Sequence, residues 1–256
     1  MDRATLRDAF AQTYSPPNDI DPGELLDQYR RFVDYQAEHP KAGRYKIANA
    51  LGIPEGRARS WIDGGMPDVV RGIETATKHG WFQTDGETHL AVTRLVAGIF
   101  AAGSVNNVWT PRWSATDGIP VEQDLRQIGA GVKQIDRVQA ERGDELEPTT
   151  HPRVLGRVLV ARGAVKSRNS ASTLPSYLFA DQSAGRVFVK TYIQARGVTP
   201  TDRNHIQIYE NKRSDTFHEE LAQLVAKHVV GDVSCVKQGI ILPPTTVSQT
   251  TWLDDD

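Results

Sequence analysis

The stretch Lys46-Ile47-Ala48-x-x-Leu51-Gly52-Ile53, followed by Arg57, Arg59, Ser60 and Trp61, combines polar donors and apolar residues at spacings suited to reading a nucleic-acid groove. Two short helices joined by a sharp turn need a small residue where they cross and a glycine where the chain reverses, and Ala48 and Gly52 meet those needs. The second helix needs an apolar inner face, here Ile53, Ala58, Trp61 and Ile62. Its outer face offers Arg57, Arg59 and Ser60, with Lys46 beside them on the first helix. Guanidinium groups bind guanine edges and phosphates, so the pattern reads as a helix-turn-helix directed at double-stranded DNA. The alternative is a helical domain that docks a protein.

Other chemistries lack the residues they require. The glycines at Gly64-Gly65 and Gly129 to Gly131 have no strand and lysine context for a phosphate-cradling loop. The histidines are scattered, and His151 and His218 read as surface or capping residues. The single cysteine, Cys235, sits in an apolar run and reads as a small buried residue; it cannot form an internal disulfide. No Cys/His grouping has metal spacing, so neither metal nor cofactor is expected.

The 30 Lys and Arg residues against 32 Asp and Glu leave a net charge of −2, so any nucleic-acid surface must come from local clustering. The composition, 39% hydrophobic and 24% charged over 256 residues, excludes a globally disordered or fibrous chain. No signal peptide is evident, and the longest apolar stretch, Leu95 to Ala102, is too short to span a bilayer. A cytoplasmic protein without a membrane partner is the expectation. Low methionine content, one cysteine and an acidic C-terminus are compatible with a salt-adapted archaeal origin.

The elements that must position these residues follow from periodicity. Leu25, Leu26, Tyr29, Phe32, Val33 and Tyr35 have helical spacing, and further helices flank Gly52 and run from Pro67 to His79. Residues 1–84 are expected to form a helical domain. Residues 85–248 change texture. A helix over HLAVTRLVAGIFAAGSV precedes an alternating VWTPRWSA, a helix near Glu122 to Ile128, a strand-like VKQIDRVQA and a helix from Arg153 to Arg162. After the polar KSRNSAST the order partly repeats through LPSYLFADQSAGRVFVKTYIQARG, RNHIQIYE, SDTFHEELAQLVAKHVV and VSCVKQGIILP. This is an α+β pattern with an internal duplication, and residues 249–256 read as a flexible tail.

Leu95-Val96-Ala97-Gly98-Ile99-Phe100-Ala101-Ala102-Gly103 resembles the LAGLIDADG helix of homing endonucleases. Val189-Lys190-Thr191-Tyr192-Ile193-Gln194-Ala195-Arg196-Gly197 resembles a second copy, and Leu174-Pro175-Ser176-Tyr177-Leu178-Phe179 is similar to the lead-in before that copy. The resemblance covers roughly residues 90 to 245 and implies two pseudo-symmetric αββαββα units forming a DNA-binding saddle. Small residues four apart, Ala97 with Ala101 and Thr191 with Ala195, would let the two helices approach closely.

The positions at which the family holds divalent metal are Ala102 and Arg196 here, and the other acidic positions are Phe100 and Gln194. Alanine cannot ligate a metal and arginine would repel one, and neither Asp181 nor Asp202 is an evident substitute. The resemblance therefore implies a degenerate fold retained for binding, in which Arg196 contacts a backbone phosphate. Strand alternation places Thr110, Arg112 and Ser114 on one face opposite Trp109 and Trp113, and His205, Gln207 and Tyr209 opposite Ile206 and Ile208. Arg203, Lys212 and Arg213, with Lys166 and Arg168, add local charge.

The expectation is a sequence-specific double-stranded DNA-binding protein, a transcriptional or replication regulator, monomeric with internal pseudo-symmetry and with no small-molecule effector evident. Bacterial sporulation-control regulators join the same two modules in the opposite order. The alternatives are an active endonuclease with displaced acids and a protein-interaction module.

Overall fold

The structure, a computed structural model, describes residues 1–15, 20–116, 118–136, 143–166, 173–200, 205–229 and 231–243. It is a mixed α+β fold with two small antiparallel sheets. The helical part holds α1 (Arg3–Ala11), α2 (Pro22–Glu38), α3 (Arg44–Leu51), α4 (Glu55–Ile62) and α5 (Asp68–Lys78). Asp2 and Asp21 start α1 and α2 by accepting backbone N–H groups in the first turn. Gly52 ends α3 at φ +66°, the left-handed conformation in which a side chain is strained, and Ile53 N–H returns to the Ala48 carbonyl at 3.1 Å. Trp61 packs edge-on to Tyr29 and tilted against Phe32, with ring centroids 5.2 and 5.3 Å away. Val33, assigned to the apolar face of α2, is instead exposed.

The rest of the chain repeats one order of elements. The first run is α6 (Gly86–Ala101), β1 (Ser104–Val105), β2 (Pro111–Ser114), α7 (Val121–Gln127), β3 (Lys133–Ile135) and β4 (Glu145–Glu147), closed by α8 (Pro152–Ala161). After the short α9 (Tyr177–Ala180) come α10 (Gln182–Arg196), β5 (Gly197–Val198), β6 (Ile206–Tyr209), α11 (Asp215–Ala226), β7 (Ser234–Val236) and β8 (Gly239–Leu242). The sheets are ordered β1-β2-β4-β3 and β5-β6-β8-β7, the same permutation twice.

Helices α6 and α10 pack along each other between the two halves. Every residue from Leu95 to Ala101 is buried, which is the signature of a helix surrounded by protein. Phe100 meets Phe188 of α10 edge-on at 5.7 Å. On another side of α6 the Trp113 indole donates to the Leu95 carbonyl at 3.0 Å, and a Cβ at Gly98 would lie 2.8 Å from that ring. A glycine is required where the N–H edge of the indole closes on the helix.

Two apolar cores result. One, around Phe32, Ile47, Ala58, Trp61 and Val69, holds α2 to α5 together. The larger one contains both repeats, and Leu6 and Phe10 of α1 join it together with Trp81 and Phe82. The helical part is thus anchored into the repeats at both of its ends.

Two strand expectations change. VWTPRWSA is a strand only from Pro111, because Trp109 adopts φ +67° and presses its carbonyl against α8 where only Gly156 fits, a Cβ there lying 1.9 Å away. VSCVKQGIILP is not one strand but the β7–β8 hairpin, with Lys237 and Gln238 between its strands. Cys235 lies on this sheet's edge and is exposed, contrary to the buried place expected for it. Of the strand-like VKQIDRVQA only β3 is described; residues 137–140, Arg168, Asp202, Arg203 and the tail 249–256 lie outside the described residues.

A polar relay ties the helical part to both repeats. The Arg162 guanidinium, at the end of α8, donates to the carbonyls of Trp81, at 3.1 Å, and Gln83, and to Nδ1 of His89 on α6 at 2.9 Å. His89 Nε2 faces Asp181 Oδ2 at 3.1 Å, and Asp181 Oδ1 caps α10 through the Ala184 N–H. Accepting from Arg162 requires a neutral ring, so Nε2 carries the proton and donates to Asp181.

Burial, then the Arg162 charge, push the His89 pKa below its ordinary 6.5, against the opposing pull of Asp181 and Asp85. A depressed histidine pKa gives stability that is present above 6.5 and lost as pH falls through the folded value. Burial shifts His79 and His228 the same way, so the wild-type slope is shared. Thermal midpoints are expected to fall on acidification below pH 6.5, and His89→Gln, which keeps one donor and one acceptor, is expected to flatten that fall.

Candidate nucleic-acid interface

Lys46 on α3 and Arg59 and Ser60 on α4 are exposed. Arg59 pairs with Asp63 one turn on at 3.8 Å, both side chains about two-thirds exposed, a contact that leaves the guanidinium available. Arg57 behaves differently. It is half-buried and donates to the Gln28 side chain of α2, so it braces α4 instead of projecting outward as expected. Arg44 joins the two helices through Glu55 at 2.8 Å, and its guanidinium lies 4.9 Å from the Tyr45 ring centroid. Tyr45, a large side chain exposed at the start of α3, carries no signal in the sequence that marks it as a contact residue.

The outer face of the first sheet carries Arg112 and Ser114, as alternation predicts, but two carboxylates of β4 answer its charge. Arg112 pairs with Glu147 at 2.8 Å and Glu145 at 3.6 Å, and Lys133 of β3 pairs with Glu147 at 2.9 Å. Burial raises the Glu147 pKa, yet Lys133 and Arg112 together hold it below its ordinary value, so the carboxylate is charged and both cations are committed. Thr110 is not on this face. It precedes β2, is buried, and its N–H is bound by the Asn106 side chain at 2.9 Å, because the αL turn at Trp109 ends the alternation.

The second sheet presents Gln207 and Tyr209 outward, with Ile206 and Ile208 inward, as alternation predicts. The Tyr209 hydroxyl donates to Gln207 at 2.9 Å. Cross-strand register puts Val198 and Ile241 beside Gln207, and Ser234 beside Ile241; none of these is charged. His205 is half-buried ahead of β6, and Lys212 is exposed beyond it. Lys166 is exposed with its ammonium 3.7 Å from the Trp109 ring centroid.

Two arginines expected at the surface are turned inward around Glu210, which is fully buried. Arg213 is buried, donates to the Phe100 carbonyl at 2.6 Å and faces Glu210 Oε2 at 3.6 Å. Arg196, the last residue of α10, donates to Glu210 Oε1 at 3.1 Å and to the Tyr209 carbonyl at 3.0 Å, so its guanidinium is engaged within the protein while staying one-quarter exposed. Tyr192 also donates to Glu210, at 2.7 Å, and burial beside that charge holds its phenol far above the ordinary range. His218, expected at the surface, is buried and meets the Glu210 carbonyl at 2.9 Å.

These guanidinium groups lie at the C-terminal ends of α6 and α10, where helix dipoles favour positive charge. Ala102 is the exposed C-cap of α6. Among the described residues no three His, Cys, Asp or Glu side chains converge as a metal-holding group. Among them, too, no helix is long and apolar enough to cross a membrane.

Compared with known proteins, the chain matches no family model, and no curated protein matches it.

Proposed function

We propose that the chain is a sequence-specific double-stranded DNA-binding protein, a transcriptional or replication regulator acting as a cytoplasmic monomer with internal pseudo-symmetry. Its reading head is the helix-turn-helix of α3 and α4. The repeats are a LAGLIDADG-like saddle that has lost its metal-binding acids at Ala102 and Arg196. The observation that carries the proposal is the outward display of Lys46, Arg59 and Ser60 beside an Ala48–Gly52–Ile53 turn. The saddle reading is supported by the twice-used strand permutation and by the α6–α10 packing.

Charge decides how the work is divided. Arg112 and Lys133 are neutralised by Glu145 and Glu147, and Arg196 and Arg213 are turned inward, so salt-dependent affinity falls mainly to the helical part. Arg59→Ala is expected to weaken binding of the selected duplex by about 1–3 kcal/mol and to relax base preference at one position. Lys46→Ala is expected to weaken all duplexes alike and to reduce the slope of log K against log salt by about 1. Binding isotherms over a salt series check both. Nicking of the duplex in magnesium that a chelator abolishes would overturn the non-catalytic reading.

The uncharged outer face of the second sheet, with Val198 and Tyr209 exposed, favours a second reading in which the repeats dock a protein. That reading predicts duplex binding no stronger than non-specific at moderate salt.

A further inference from the structure

The relay through Arg162 opens onto a pocket of about 250 Å³ at the junction of the N-terminus, α6, α8 and α9, lined by Leu6, Thr84, His89, Arg162, Tyr177 and Asp181 among others. Its volume lies below the range of pockets that hold drug-sized ligands, so the occupant must be small.

The charges on its wall are separated in a specific way. Arg162 is buried, yet its partners are two carbonyls and a neutral imidazole, and among the described residues it makes no ion pair with a carboxylate. Its Nε is enclosed without a hydrogen-bond partner among the described residues. A buried guanidinium is ordinarily matched by an anion, and among the described residues no carboxylate supplies one. Asp181 holds the opposite charge across the His89 ring, with its side chain one-third exposed. Tyr177 is buried, and burial raises its pKa against the opposing influence of Arg162 and Thr93, so its enclosed hydroxyl, which meets no full hydrogen-bond partner among the described residues, stays neutral. Leu6 adds an apolar wall.

We propose that this pocket binds a small α-amino acid, its carboxylate received by Arg162 and Tyr177 and its ammonium by Asp181. The lining holds a cation and a neutral hydroxyl together with an anion. A simple anion would satisfy only the cation and the hydroxyl and would be repelled by the carboxylate. An inorganic ion would also leave the apolar wall unused. Because Arg162 holds the Trp81 and Gln83 carbonyls as well, an occupant would rest on the group that joins the helical part to the repeats. The proposal is independent of the DNA reading, since its test reads ligand binding alone.

The test is calorimetric titration of the full chain with a panel of common L-amino acids, with acetate and methylammonium chloride as half-ligand controls at matched ionic strength. At least one amino acid is expected to bind saturably, with either half-ligand at least tenfold weaker. Tyr177→Phe and Asp181→Asn are each expected to weaken that binding at least tenfold, and Arg162→Met to abolish it. Should Arg162→Met fail to fold, the other two variants decide. Absence of saturable binding by any amino acid, equal binding of acetate, or unchanged affinity in both Tyr177→Phe and Asp181→Asn would each overturn the proposal.

Discussion

Glu210→Ala is expected to lower the unfolding free energy by about 3–5 kcal/mol, read from urea denaturation midpoints at constant m. The carboxylate is fully buried and meets Tyr192, Arg196 and Arg213, so its removal takes a close counter-charge from the enclosed Arg213 guanidinium and an acceptor from Tyr192. Breaking one side of a buried pair costs more than the pair contributes when intact, because the surviving charge stays desolvated. Arg196→Ala is expected to cost less, since that side chain is one-quarter exposed and water can replace part of what it loses. Equal effects from Glu210→Ala and Arg196→Ala would contradict this account of the cluster.

Phe100→Ala is expected to cost about 3–5 kcal/mol by the same measurement. The ring is fully buried, meets Phe188 edge-on at 5.7 Å and stacks with Phe217 at 6.2 Å, and the Arg213 guanidinium lies 5.8 Å from its centroid. Bulky side chains of the second half pack around the ring, so its removal leaves a cavity there. Phe188→Ala removes the facing ring, and the double variant is expected to lose less than the sum of the two single losses, because each single variant already forfeits the shared contact. Simple additivity would mean that the rings do not bear on each other.

Local periodicity carried most of the helix assignments. A helix expected near Glu122 to Ile128 is α7 at Val121–Gln127, and one expected from Arg153 to Arg162 is α8 at Pro152–Ala161. Apolar spacing is a property of neighbouring residues and needs no knowledge of the partner surface. The Ala48–Gly52–Ile53 turn was legible for the same reason, since its crossing residue and its left-handed glycine lie four residues apart. The alternation of β6 was equally local.

What escaped the sequence depends on contacts between distant residues. Arg112 and Glu147 are 35 positions apart, and their pairing follows from the β2–β4 register, although two glutamates alternating as Glu145-Leu146-Glu147 were a usable hint of an acidic strand face. Arg213 reaches the Phe100 carbonyl across 113 positions, and no spacing rule distinguishes it from the exposed Lys212 beside it. Trp109 was read as strand because its neighbours alternate; its left-handed turn is set by the close approach to Gly156, which only the packed α8 reveals. Arg57 has the sequence environment of a groove contact, and Gln28 on another helix decides otherwise.

The hydrogen bond from Arg213 to the Phe100 carbonyl also bears on how the chain is held together as a polymer. A group from the second half completes the end of the first half's central helix, while Phe100 and Phe188 fill the seam from both sides. Neither half closes its own core, so the peptide link between them serves chiefly to keep their local concentration high. A chain nicked between α8 and α9 would persist as a two-fragment complex, and its melting temperature, unlike that of the intact chain, would rise with protein concentration.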